Sequence, residues 1–121
     1  MNYIYAQISR KINFYGSINP VELIGKYGSP LYVYNESVIR SKCRELKEFI
    51  DYPDFIVNYS PKANSNVEIL KIVKDEGLLV DAVSSGEIFT NLKAGYTPEQ
   101  IFYVCNNVSA EELSYAINAK V

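Results

Sequence analysis

Three groups of residues that could take part in chemistry follow apolar, β-rich runs of the sequence. They are Tyr59–Asn64, Asp81–Glu87 and Cys105–Asn107. Lys62 is the one lysine among them, and a lysine amine bonds to a carbonyl carbon only when it is neutral. Burial or nearby cations would have to favour that neutral form. On this pattern alone, a solvated loop lysine is the stronger interpretation.

A repeat of strands and helices is predicted to position these groups. The apolar runs are Phe55–Ser60, Leu78–Val83 and Ile101–Cys105, and their starts differ by 78 − 55 = 23 and 101 − 78 = 23 residues. Amphipathic helical patterns between them end at Gly77 and Gly95, which are typical glycines after a helix. Alternating strands and helices predict a parallel α/β sheet whose strand ends share one edge. Nearly continuous apolar runs suggest that both sheet faces are covered. A closed barrel and an open doubly wound sheet both satisfy the pattern.

The residues before this repeat show a different pattern. Asn19 and Gly28 are predicted to bound a short helix, and Leu31–Tyr34 is predicted to be a strand. Residues before about Phe14 show no periodicity. Asn35 is predicted to cap a longer helix whose apolar stripe is Ile39, Cys43, Leu46 and Ile50.

The composition argues against several classes of function. The 121 residues carry a net charge of −2 without a Lys/Arg cluster, so neither a nucleic acid nor a membrane is an expected partner. Histidine is absent, which excludes a Ser-His-Asp triad and a histidine zinc site within this chain. Met1–Gln7 lacks the pattern of a signal peptide, and Cys43 and Cys105 lack CxxC spacing. A cytoplasmic protein with reduced thiols is therefore expected, with Cys105 buried.

Four separated segments of this sequence resemble the fold-type III pyridoxal 5′-phosphate (PLP)-dependent decarboxylases, and within them the diaminopimelate decarboxylases. The segments occur in the family's order and are Tyr27–Tyr34 (YGSPLYVY), Tyr59–Asn66 (YSPKANSN), Leu79–Glu87 (LVDAVSSGE) and Ala94–Ile101 (AGYTPEQI). The corresponding family motifs are YGTPLYVY, YAxKAN, xxDVxSxGE and AGxxPxxI. The resemblance extends from about Phe14 to Val121.

This resemblance implies a fold and a division of the chain. The fold would be α/β, a partial (β/α)8 TIM-type barrel like the N-terminal domain of alanine racemase, with about three βα units. Residues 1–35 would form an N-terminal segment with a short helix and a strand that belongs to a β-domain. Residues 36–121 would form the first, incomplete part of the PLP-binding barrel. A fourth strand would begin near residue 124 on the 23-residue period, so a part of a larger protein is expected.

The resemblance also implies roles for four residues. Lys62 would hold PLP as a Schiff base, and Asp81 would lie near this lysine, with a structural strand-end aspartate as the alternative. Ala63 would leave room for the pyridine ring, and Asn64 would line the site unless it serves the turn. Pro61 stands where the family has a small or aliphatic residue, and it is expected to end the first strand early.

Two further serine-containing segments are interpreted as helix caps. Ser109 with Glu112 forms a capping box, and Ser84–Gly86 opens a helix in which Glu87 supports the first turn. An anion site for the PLP phosphate at Ser84–Gly86 is the less favoured interpretation, because the family binds the phosphate on glycine-rich loops of later strands.

The implied function is decarboxylation of an amino acid, with meso-diaminopimelate giving lysine in lysine biosynthesis. Ornithine, arginine or a carboxylated polyamine are alternative substrates, and a non-catalytic regulatory module is an alternative role. The family's glycine-rich loops, ring-contacting glutamate and histidine, and partner-subunit cysteine do not map to this sequence. The isolated chain is therefore expected to be inactive, and the full-length enzyme is expected to be a homodimer.

Overall fold

The computed structural model describes residues 14–121, and the chain divides into two compact units between Val38 and Ile39. The prediction made for residues before about Phe14 lies outside the described residues. The predicted short helix belongs to the N-terminal unit, and the predicted repeat of strands and helices belongs to the C-terminal unit.

The first helix, α1, spans Pro20–Tyr27 in the N-terminal unit. The Asn19 side chain accepts a hydrogen bond of 2.9 Å from the Val21 amide, which satisfies one of the unpaired donors at the helix start. Gly28 ends the helix with a φ of 84°, a conformation that glycine adopts without steric cost. Both predicted boundaries of this helix are confirmed.

The predicted strand at Leu31–Tyr34 is wrong for the chain as described. Residues 31–35 have no regular secondary structure, and the sheet contains none of them. A strand is defined by hydrogen bonds to a neighbouring strand, and no residue of 14–121 provides that neighbour here. The assignment of this segment to a β-domain remains a prediction.

Helix α2 spans Glu36–Glu48, and Asn35 caps it as predicted by accepting a 3.1 Å hydrogen bond from the Val38 amide. Its predicted apolar stripe is only partly confirmed. Cys43 is buried and packs with Ile69, Val73 and Leu78, with Ile39 against the same cluster. Leu46 is half exposed, and Ile50 lies beyond the helix end, where helical periodicity no longer applies.

Three parallel strands form the sheet of the C-terminal unit in the order β1-β2-β3. They are β1 (Asn58–Tyr59), β2 (Leu79–Ala82) and β3 (Ile101–Tyr103). Each strand is followed by a helix, and these are α3 (Val67–Asp75), α4 (Ser85–Lys93) and α5 (Ala110–Asn118). The predicted βα repeat is confirmed, with strands shorter than the apolar runs.

The main core lies between the sheet and the helices on one of its faces. Val80 and Ala82 point to this face and pack with residues of all three helices, among them Leu70, Ile88 and Ala116. The Tyr96 hydroxyl donates a 3.3 Å hydrogen bond to the Leu70 carbonyl, and burial raises the pKa of Tyr96. On the other face, Phe102 is 66% exposed. The expectation that both faces are covered is wrong for residues 14–121.

Local caps determine where these helices begin and end. Ser109 and Glu112 form the predicted capping box, with bonds of 3.2 and 2.8 Å. Gly77 and Gly95 follow α3 and α4 with φ of 80° and 93°. These predictions are confirmed because each depends on hydrogen bonds within one turn of the chain.

Candidate functional site

Lys62 lies in the middle of a tight turn directly after β1. A single 3-10 turn spans Pro61–Ala63, and the Ala63 amide donates a 3.0 Å hydrogen bond to the Ser60 carbonyl. Pro61 is buried at the first position of this turn, where its missing N–H and restricted φ are tolerated. The expectation that proline ends the first strand early is confirmed, since β1 stops at Tyr59.

Side chains before and after Lys62 hold this turn in place. The Tyr59 hydroxyl donates a 3.2 Å hydrogen bond to the Asn64 carbonyl, which joins the strand to the residue after the turn. The Asn64 side chain accepts a 3.0 Å bond from the Asn66 amide, and the Asn66 side chain caps α3 at the Glu68 amide (2.9 Å). Asn64 therefore serves the turn, which was the alternative to its role in lining the site.

Asp81 follows Val80, the last residue of β2 that pairs with β1, and lies at the same end of the sheet as the turn. The Ser60 hydroxyl donates a hydrogen bond of 2.7 Å to Asp81 Oδ2. The Asn91 side chain, fully buried in α4, donates a 3.3 Å bond to the Asp81 main-chain carbonyl. Sequence reasoning missed both Ser60 and Asn91. The available signal for Ser60 was its place in YSPKAN, where the family motif has alanine.

The predicted site residues differ in how far solvent reaches them. Lys62 and Ala63 are exposed, whereas Asn64 and Asp81 are half-buried. Burial, one of the two conditions named above for a reactive lysine, is therefore not met at Lys62 among residues 14–121. Lys62 has no ion-pair or hydrogen-bond partner among residues 14–121. Its amine is thus accessible to a carbonyl compound from solvent.

The end of β3 carries the third group of candidate residues. Cys105 is exposed, and its thiol is 3.6 Å from the Tyr103 carbonyl, to which it donates a weak hydrogen bond. The prediction that Cys105 is buried is wrong, since β3 ends at Tyr103 and Cys105 lies in the exposed connection after it. Asn106 and Asn107 are exposed as well.

The start of α4 is occupied by caps, as predicted. Ser84 Oγ accepts a 3.2 Å bond from the Glu87 amide, and the Glu87 carboxylate accepts a 2.7 Å bond from the Val83 amide. These bonds use donors that a phosphate would need at a helix N-terminus. The described chain thus presents an accessible lysine after β1, and these bonds agree with capping as the interpretation of Ser84–Gly86.

Two cavities lie within the N-terminal unit. Cavities of about 300 and 290 Å³ are lined by residues of the N-terminal unit, including Phe14, Tyr15 and Leu23. Neither contains a predicted site residue. Residues 14–121 contain no group of His, Cys, Asp or Glu side chains arranged to hold a metal ion. None of the helices they form is long and apolar enough to cross a membrane.

Known protein sequences match most of this chain. Residues 36–121 match the family model described as "Pyridoxal-dependent decarboxylase, pyridoxal binding domain". Diaminopimelate decarboxylase from Methanothermobacter thermautotrophicus is 44% identical over 108 residues, and that from Bacillus subtilis is 38% identical over 108 residues. In both cases the match covers 88% of this chain and 25% of the relative. The chain thus spans about a quarter of the length of the curated relatives it matches.

Solved structures show the same correspondence. Diaminopimelate decarboxylase from Helicobacter pylori, complexed with L-lysine, aligns with a TM-score of 0.79 and 32% identity over 85% of this chain and 26% of that chain. A lysine/ornithine decarboxylase from Vibrio vulnificus aligns with a TM-score of 0.74 over 79% of this chain and 26% of that chain. Its 20% identity supports the fold alone.

Proposed function

We propose that this chain, which belongs to the family of pyridoxal-dependent decarboxylases, supplies the cofactor-anchoring lysine, Lys62, of a PLP-dependent amino-acid decarboxylase. The family assignment also identifies the three βα units as part of an alanine-racemase-like barrel. The observation that carries the proposal is the position of Lys62. Its accessible amine lies in a turn fixed at both ends, at the carboxyl edge of parallel strands, where βα folds place their chemistry.

The proposed substrate of the complete enzyme is meso-diaminopimelate, and the proposed product is lysine. Sequence relatives with this activity in their names support it at 38–44% identity. The Helicobacter pylori relative binds L-lysine, which is diaminopimelate without one carboxyl group. The 20% identical lysine/ornithine decarboxylase adds support for the fold and none for an alternative substrate.

Four residues of this chain would contact or adjoin PLP. Lys62 would bond to it through the ε-nitrogen, and the methyl side chain of Ala63 would leave space beside that bond. Asp81 would place a carboxylate next to the lysine turn, and Asn64 would shape the turn through its two hydrogen bonds. PLP itself supplies the aldehyde that lysine bonds and the ring that accepts electrons when a carboxylate leaves as CO2. The phosphate would need groups from other parts of the enzyme.

Covalent mapping tests this role of Lys62. The chain is incubated with PLP, reduced with cyanoborohydride and digested, and the label at each lysine is measured by mass spectrometry. We expect Lys62 to be labelled several-fold faster than Lys120, an exposed lysine beyond α5. Lys62→Arg keeps the positive charge but cannot form the bond, so it should remove only the label at that position. Equal initial rates at Lys62 and Lys120 would contradict the proposal.

The isolated chain should not release CO2 from meso-diaminopimelate, even with PLP present. Its sequence contains no histidine for the ring face, and the Glu87 amide at the start of α4 is already bonded to Ser84. Radiometric CO2 measurement with the labelled substrate tests this expectation. If the isolated chain released CO2 and Lys62→Arg did not, the chain would already contain a complete catalytic site.

Assembly and location are also part of this proposal. We expect a complete enzyme to act as a homodimer in the cytoplasm on its amino-acid substrate. Sedimentation of the longest natural form of the protein with PLP tests the dimer. A monomer that retains full activity would contradict it.

A further inference from the structure

A side-chain hydrogen bond between Ser60 and Asp81 joins the ends of β1 and β2. The register pairs Asn58 with Leu79 and Tyr59 with Val80, so Ser60 and Asp81 occupy the next pair of positions. Their side chains lie on the sheet face opposite to the buried Val80, and the Oγ–Oδ2 distance is 2.7 Å. A hydroxyl that donates to a carboxylate makes a short, charge-assisted bond of this kind.

Asp81 is held at its main chain as well as at its side chain. Asn91 is fully buried and donates a hydrogen bond to the Asp81 carbonyl, which fixes the backbone at the end of β2. In the described chain, Ser60 is the side chain that donates to the Asp81 carboxylate. The orientation of the half-buried Asp81 carboxylate therefore depends on the Ser60 hydroxyl.

Lys62 is the cation placed nearest to this pair along the chain. It follows Ser60 by two residues in the turn Pro61–Ala63, and this turn contacts β2. A carboxylate close to a lysine favours the charged ammonium and can pair with it. Such pairing would keep the amine protonated. Its nitrogen would then have no free lone pair with which to attack a carbonyl carbon.

We infer that Ser60 is a positioning residue whose hydroxyl holds the Asp81 carboxylate at the end of β1 and keeps it from pairing with Lys62. This inference deepens the proposed function and rests on it. Ser60 does not touch the reacting atoms, so its effect on Lys62 must pass through Asp81. Alanine, which the family motif has at this position, could not make this contact.

The test measures how fast Lys62 bonds to PLP in the chain. The amine nitrogen forms a C=N bond to the aldehyde carbon with loss of water, and cyanoborohydride then delivers hydride to that carbon. Ser60→Ala should lower the initial labelling rate of Lys62, relative to Lys120, by about two- to fivefold, the shift that a partly exposed ion pair can produce. Ser60→Thr retains the hydroxyl and suits the extended backbone (φ −93°, ψ 107°), so it should retain the wild-type rate.

A double-mutant cycle separates this role from a structural one. Asp81→Asn removes the charge, and its own labelling rate is the reference for the second arm of the cycle. Adding Ser60→Ala to Asp81→Asn should then have no further effect, because no carboxylate remains to pair with Lys62. A merely structural role of the hydroxyl would lower the rate in both backgrounds. Ser65→Ala is the matched control, since Ser65 is exposed in the same segment and its hydroxyl makes no hydrogen bond.

The possible outcomes distinguish the two proposals. If wild-type Lys62 is labelled no faster than Lys120, the proposed function fails and this inference fails with it. If wild-type Lys62 is labelled preferentially but Ser60→Ala behaves like Ser65→Ala, only the role of Ser60 is overturned. An equal loss in the Asp81→Asn background also overturns it.

Circular dichroism of each variant checks that the chain remains folded. Should Ser60→Ala lose structure, Ser60→Cys provides the decisive comparison, because it keeps the size of the side chain and weakens the donor. The labelling rate of Lys62 in Ser60→Cys should be lower than in the wild type, by less than the two- to fivefold loss expected for Ser60→Ala. A rate equal to or above that of the wild type would contradict the inference.

Discussion

The two ends of the three-stranded sheet use their charged residues in opposite ways. At the end where β2 begins, Glu76 accepts hydrogen bonds from Arg44 (2.7 and 2.9 Å) and Arg40 (3.1 Å). At the end where β1 and β2 stop, Asp81 is bonded to a neutral hydroxyl, and Lys62 has no partner among the described residues. Glu76 at the first end is thus paired with two arginines, whereas Lys62 at the second end has no such pairing.

The paired end shows what a stabilising arrangement looks like in this chain. The Glu76 side chain is only 10% exposed, and the Arg44 and Arg40 guanidinium groups lower its pKa from 4.5 to about 2, with the Arg44 hydrogen bond as the main cause. Lys47 also donates a 2.9 Å bond to the Glu76 carbonyl at the end of α3. These contacts join α2 to the connection between α3 and β2. The comparison shows that the carboxylate at one end of the sheet is bonded to guanidinium groups, whereas the carboxylate at the other end is bonded to a hydroxyl.

Thiol reactivity should show the largest difference between the two ends. Cys43, beside Glu76, is buried, and burial followed by the charge of Glu76 raises its pKa above 9.0. Cys105, beyond β3, is exposed. In single-cysteine variants, Cys105 should react with a disulfide reagent at least about tenfold faster at pH 8, because Cys43 is both less accessible and less ionised. A further rise in pH should increase the reaction rate of Cys43 by a larger factor than that of an ordinary thiol, because the pKa of Cys43 is higher. Equal rates in the folded chain would contradict the burial of Cys43.

Replacing Glu76 should affect stability in a pH-dependent way. A carboxylate whose pKa is lowered on folding contributes stability above its unfolded pKa and loses it as the pH falls through its folded value. Glu76→Gln should therefore be less stable than the wild type above pH 4.5, and the difference should decline as the pH falls toward about 2. Urea denaturation across this range measures it. Asp51→Asn, which changes an exposed carboxylate, serves as the control and should show no such trend. The labelling rate of Lys62 should not change in Glu76→Gln.

Removal of Lys62 should have the smallest effect on stability. Its side chain is exposed and unpaired in the described chain, so Lys62→Ala should change the free energy of unfolding by less than about 0.5 kcal/mol. Arg44→Ala, measured in parallel by urea denaturation, should be destabilising because it breaks two bonds to Glu76. A larger loss in Lys62→Ala than in Arg44→Ala would show that the two ends of the sheet do not differ as described.

Much of the fold could be predicted because its signals are local. Asn19, Asn35, Ser84 and Ser109 cap helices through bonds to amides two or three residues away. The repeat of apolar runs correctly indicated three parallel strands, although it overstated their lengths. Within the first run, Phe55–Ser60, the strand contains only Asn58 and Tyr59, the two residues that pair with β2. Pro61 has no N–H with which to extend this pairing.

The candidate site was predicted less completely, and its errors concern burial. The motif around Lys62 indicated the lysine itself, the turn role of Asn64 and the early end of β1 at Pro61. The strand pattern by itself favours a solvated Lys62, which is exposed, but Cys105 lies outside the core, contrary to the prediction. Both depend on how far each strand extends before the chain turns, which apolar patterning does not specify.

The helix caps, the order of strands and helices, and the lysine within the family motif can all be read from the amino-acid sequence. These features depend on residues close together in the chain or on a pattern repeated along it. Only the tertiary structure decided which charged groups are paired. Ser60 meets Asp81 across 21 residues, and Arg44 meets Glu76 across 32. Such contacts form because parallel strands and packed helices bring distant residues together, and no local signal encodes them.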